Sequence, residues 1–111
     1  MKIEDIIKPL SLEVKSCNQN IENSFSGAYV SDLLSDVMAK GNDGELWITL
    51  QTHLNIVAVA SVKGLSGIII VNSRCPDEET LKRAEKEGIL IAITPLSCFE
   101  AAGRLYKIIN G

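Results

Sequence analysis

The sequence predicts an α/β domain of three layers, with a mainly parallel sheet and helices on both faces. Three observations lead there. Apolar runs recur from Leu46 onward, LWITL at 46–50, GIIIV at 67–71 and ILIAI at 89–93, and their centres Ile48, Ile69 and Ile91 lie 21 and 22 residues apart, the length of a short strand-helix unit. The runs are continuous rather than alternating, as in strands buried on both faces of a parallel sheet. The segments between them carry helix signals. The 111 residues make one domain, 1–111.

At the N-terminus, Ile3, Ile6, Ile7 and Leu10 form a helical stripe that Pro9 cuts short, and Leu12 and Val14 then alternate with polar residues as in an edge strand. FSGAYVSDLLSDVMAKG gives a short strand around Ala28 and Tyr29. A helix follows with Val30, Leu33, Leu34, Val37 and Met38 on its apolar face, Asp32 and Asp36 on its polar one, and Gly41 as its end. KGNDGE is a turn. NIVAVASVKG is rich in β-branched residues, yet its nine residues before Gly64 suit a short buried helix between parallel strands. In CPDEETLKRAEKEGI, Pro76 stands near the first helical position, acids fill the first turn and Gly88 closes the last. SCFEAAGRLYKII opens with Ser97 and Glu100 in capping-box spacing and repeats apolar residues at Cys98, Ala101, Ala102, Leu105 and Ile109.

Composition narrows the function. Hydrophobic residues are 46% and charged residues 23%, with a net charge of −3, so a core forms without staples and no cofactor is expected. Lys82, Arg83 and Lys86 are interleaved with Glu78, Glu79, Glu85 and Glu87, which is a solvated face rather than a nucleic-acid-binding stripe. Cys17, Cys75 and Cys98 are odd in number and widely spaced, as in reduced cytoplasmic thiols. No secretory signal or membrane-spanning run stands out, so a cytoplasmic location without membrane or nucleic-acid contact is expected.

The strings GAYVSDLLSDVMAKG, GELWITLQTHLNIVAVASV, GIIIVNS, PDEETLKRAEKEGI and FEAAGRLY resemble a DRTGG domain, from about Val14 onward. Such domains are similar to the N-terminal domain of HPr kinase/phosphorylase. They are also inserted beside CBS modules in regulated pyrophosphatases, and small stand-alone versions exist. The Asp-Arg pair and the Thr-Gly-Gly triplet that name the family are replaced here by Thr52-His53 and Val71-Asn72-Ser73. The resemblance implies a regulatory domain, often dimeric, whose catalytic activity belongs to attached domains. No G-x-x-x-x-G-K-[ST] loop is present to support kinase chemistry.

In an open parallel sheet, ligands bind beyond the carboxyl ends of the strands. The candidates on that edge are Gln51, Thr52, His53, Asn55, Asn72, Ser73 and Thr94, whose amides, hydroxyls and imidazole suit a small anionic or nucleotide-like ligand. The plainer reading is that they cap helices. His53 has no neighbouring acid in sequence to orient it and no nucleophile motif beside it. Cys75 and Cys98, at predicted helix N-termini where a dipole activates a thiol, offer with His53 the alternative of a small enzyme or a thiol- or metal-dependent redox protein. The main expectation is a non-catalytic regulatory or interaction module. It binds a small ligand or docks on a partner metabolic or redox enzyme, and it forms a homodimer in which Gly103 and Tyr106 are the hint of a subunit contact.

Overall fold

The computed structural model describes residues Met1–Gly111. Its centre is one five-stranded sheet in the order β1-β5-β4-β3-β2, where β1 is Glu13–Ser16, β2 Gly27–Val30, β3 Glu45–Thr49, β4 Gly67–Ile70 and β5 Ile91–Ile93. Strands β2 to β5 run parallel in simple sequential order, and β1 closes one edge antiparallel to β5. The helices are α1 (Leu34–Lys40), α2 (Asn55–Lys63), α3 (Glu78–Glu87) and α4 (Cys98–Asn110).

The continuous apolar runs divide their side chains between two cores, because successive strand residues point to opposite faces. Trp47, Ile68, Ile70, Ile91 and Ile93 pack with Val37 of α1, Ile56, Val57 and Ala60 of α2, and Ala84 of α3. Leu46, Ile48, Ile69 and Ala92 pack with Ala101 and Leu105 of α4 and with the N-terminal Ile3, Ile6 and Leu10. Three crossovers of one hand therefore set α1, α2 and α3 side by side on one face, while α4 and the N-terminal segment cover the other.

Helix α2 lies between its two neighbours, so burial of Ile56, Val57, Val59 and Ala60 outweighs the weak helix propensity of its β-branched residues. Gly64 ends it in the left-handed region at φ 66°, where an added Cβ would collide with the Asp43 carboxylate.

Several expectations needed correction. The N-terminal stripe is a single 3-10 turn, Ile3–Ile6, rather than an α-helix. Val30 belongs to β2, and α1 starts only at Leu34, which leaves Leu33 and Met38 exposed and puts Asp32 outside the helix. Pro76 stands just before the N-cap Asp77, close to the first helical residue Glu78. At α4 the Ser97 hydroxyl accepts the Glu100 backbone N–H at 3.1 Å, so half of the capping box forms as predicted.

Candidate functional site

All four parallel strands end on one rim. Exits from β2 and β3 are tied together by Asp32, whose carboxylate accepts the Thr49 hydroxyl at 2.8 Å and the Leu50 N–H at 2.7 Å, while the Gln51 amide donates to the Asp32 carbonyl at 2.8 Å. Asp36 instead accepts the Tyr29 hydroxyl at 2.9 Å, so the two acids predicted on one face serve different partners.

Beyond β4 and β5 the chain turns to opposite faces, toward α3 and α4, which is where an open sheet usually leaves a crevice. Here backbone bonds lace it shut. The Asn72 N–H donates to the Leu96 carbonyl and the Ser73 N–H to the Thr94 carbonyl, each at 2.9 Å. Making that turn puts Asn72 and Ser73 in the left-handed region at φ 59° and 55°. The Thr94 hydroxyl is buried and donates to the Leu10 carbonyl at 2.6 Å. Thr52 is buried too, and its carbonyl accepts the Thr80 hydroxyl and the Asp77 N–H. Asn55 is the first residue of α2 and makes no cap bond.

The open space lies elsewhere, in a groove of about 650 Å³ between α2 and α3. One wall is apolar, formed by Leu54, Val57, Ala58 and Val62; the polar residues facing it are His53, Asn55, Ser61, Arg83 and Glu87. Of the seven predicted residues only His53 and Asn55 line this groove; Gln51, Thr52, Asn72, Ser73 and Thr94 do not.

His53 has the acid that its sequence neighbourhood lacked. Its Nδ1 lies 3.0 Å from an Asp77 carboxylate oxygen, across the packing of α2 against α3. An ionised carboxylate only accepts, so Nδ1 carries the hydrogen and Nε2 points free. With the His53 side chain 69% exposed, the pair contributes little to stability, and its effect is to orient the ring. Asp77 and Arg83 were invisible as site residues, because in sequence they read as a first-turn acid and part of a solvated charge run. Only a prediction that α2 and α3 pack side by side would have found them.

The cysteines do not gather around His53. No group of three or more His, Cys, Asp or Glu side chains is placed to hold a metal ion. Cys75 is exposed and Cys17 buried. Burial, aided by the charge of Asp32, pushes the Cys98 thiol up rather than down, against the activation expected at a helix N-terminus.

No family model matches the chain, and no curated protein sequence does. Among solved structures, it is similar to the regulatory region of a Clostridium perfringens pyrophosphatase, a crystal structure of CBS and DRTGG domains complexed with the activator diadenosine tetraphosphate. The TM-score is 0.76 at 21% identity, over 94% of this chain and 45% of that one. The chain thus spans less than half of that regulatory region, and the likeness is one of fold, a DRTGG-like α/β domain.

Proposed function

We propose that this chain is a non-catalytic regulatory module that holds a small anionic, nucleotide-like ligand in the groove between α2 and α3. The observation carrying this reading is the pairing of an apolar wall with an oriented imidazole and a guanidinium at one groove. A flat base rests on Leu54, Ala58 and Val62. His53 and Arg83 meet the phosphate, and Glu87 accepts from a base amine. The only side chain bonded to His53 is Asp77, so no protein nucleophile is hydrogen-bonded to the ring. The activator bound to the structurally similar regulatory region, diadenosine tetraphosphate, is of this chemical class.

Titration with AMP, ATP and diadenosine tetraphosphate, followed by calorimetry and thermal unfolding, tests the reading. At least one of them should raise Tm, and Arg83→Ala and His53→Ala should each weaken it about tenfold or more, roughly 1.4 kcal/mol, with the unliganded Tm unchanged. The reading fails if none of the three binds, or if binding survives both substitutions undiminished.

A further inference from the structure

Three cations of α3 stand without an acid partner. Glu79, Lys82, Arg83 and Lys86 recur at i, i+3, i+4 and i+7, a single exposed stripe of the helix beside its buried Thr80 and Ala84. Glu78 and Glu79 lie four residues before Lys82 and Arg83, the spacing at which an acid and a base pair on a helix surface. Neither pair forms. The ion pairs of the chain are Glu13–Lys15, His53–Asp77 and Glu100–Arg104. Glu85 is turned to the other side, where its carboxylate accepts the Cys17 N–H at 3.0 Å. Lys86 stands in the last turn, where the carbonyl end of a helix favours a cation; Lys82 and Arg83 stand before it and gain less from the dipole.

The three cations surround a hollow. It measures about 270 Å³ and is lined by Leu54, Glu79, Lys82, Arg83 and Lys86, three positive charges against one negative. Leu54 and Arg83 also line the groove between α2 and α3, so the two spaces adjoin along a shared wall. The groove has an apolar wall, whereas the hollow has Leu54 as its one apolar residue. An apolar space that opens past a guanidinium into a cationic one fits a molecule with a flat apolar end and a long anionic tail.

We infer that the ligand carries a chain of phosphates, with its base in the α2/α3 groove, its first phosphate at His53 and Arg83, and the following phosphates in the hollow against Lys82 and Lys86. This rests on the reading of the groove as a nucleotide site, to which it adds a second subsite and a ligand class. At the junction Arg83 offers a planar fork to the first phosphate, and the two lysines act as point charges on the rest. Lys82 and Lys86 are one helical turn apart, about 6 Å along the axis, a span that a triphosphate bridges and a monophosphate does not. A single exposed lysine contributes little, so the selectivity comes from two of them acting on a multiply charged tail. A nucleic acid is not the occupant, because the hollow is short and the chain's net charge of −3 opposes a polyanion that extends beyond it.

Calorimetric titration with AMP, ADP, ATP and inorganic tripolyphosphate, without divalent cations, measures the outcome. Affinity should rise from AMP to ATP by about tenfold or more. Lys82→Gln with Lys86→Gln should remove most of that gain while changing AMP by less than about twofold. Lys8→Gln with Lys107→Gln, which removes the same charge from the opposite face, should leave ATP binding as it is. If AMP and ATP bind alike, or if the Lys82 and Lys86 variant keeps the preference for ATP, the inference is overturned and the groove stands as a mononucleotide site. An equal loss with the Lys8 and Lys107 variant assigns the preference to net charge and overturns the inference as well. Tripolyphosphate binding as tightly as ATP would mean that the base adds nothing, which overturns the groove reading and the joined site together. Binding of none of the four overturns both.

Discussion

His53 takes its geometry from a residue 24 positions away, and the turn after β4 takes its own from backbone bonds to the exit of β5. Ser73 sits at φ 55° with its side chain exposed, and an L-residue there loses about 1–2 kcal/mol to the contact of its Cβ with the following carbonyl. Glycine removes that contact but loses more chain entropy on folding, so Ser73→Gly is expected to stabilise by up to about 1 kcal/mol in urea unfolding. Thr94→Val should do the opposite. It deletes a buried hydroxyl that donates to the Leu10 carbonyl and accepts the Leu96 N–H, at a cost of about 1–3 kcal/mol. A neutral result for Thr94→Val would mean that the hydroxyl is not needed to close the crevice.

Among the elements, β1 depends most on partners outside its own ladder. The Ser16 hydroxyl donates to the Ile89 carbonyl and accepts the Ile91 N–H, each at 2.9 Å, which bridges the irregularity in the β1–β5 pairing. The next residue, Cys17, is buried with φ 51°, its N–H held by the Glu85 carboxylate at 3.0 Å and its thiol donating to the Ala84 carbonyl. Burial, reinforced by the charge of Glu85, pushes the Cys17 thiol up from 9.0 to about 11. A thiol harder to ionise in the folded chain than in the unfolded one contributes its full stability below about pH 9 and loses it as pH rises toward 11. The stability difference between the native chain and Cys17→Ala should therefore shrink by about 2–3 kcal/mol between pH 9 and 11, measured by denaturant unfolding at each pH. A pH-independent difference would show that Cys17 ionises as readily in the fold as outside it.

At the scale of the whole molecule, the three thiols occupy three environments, exposed at Cys75, half-buried at Cys98 and buried at Cys17. Reactivity follows thiolate access. Labelling of the native chain at neutral pH should modify Cys75 first, Cys98 more slowly than an unfolded thiol, and Cys17 only on unfolding, as read by peptide mass analysis. Faster reaction at Cys98 would revive the thiol-dependent alternative. The sheet also separates two surfaces. The groove that holds His53 and Arg83 is on the α2/α3 face, and α4 with its exposed Phe99 and Tyr106 is on the other.

What the sequence by itself determined was whatever local periodicity and chain chemistry dictate: the apolar runs at 46–50, 67–71 and 89–93, which form strands at 45–49, 67–70 and 91–93, the helices closed by Gly64 and Gly88, and the Ser97 cap. Those signals act over one or two turns, so they survive in the linear string. Asp32 stands outside the helix that the apolar pattern suggests for it, because a helix boundary is decided by which polar group the rest of the fold offers the chain end. The rim was legible as a set of loops, yet its division was not. Tertiary structure buried Thr52 and Thr94, laced Asn72 and Ser73 to the next strand, and brought Asp77 and Arg83 to the groove of His53. The reason is physical: which groups meet depends on how helices pack across the sheet, and contacts between segments dozens of residues apart leave no periodic trace in either segment.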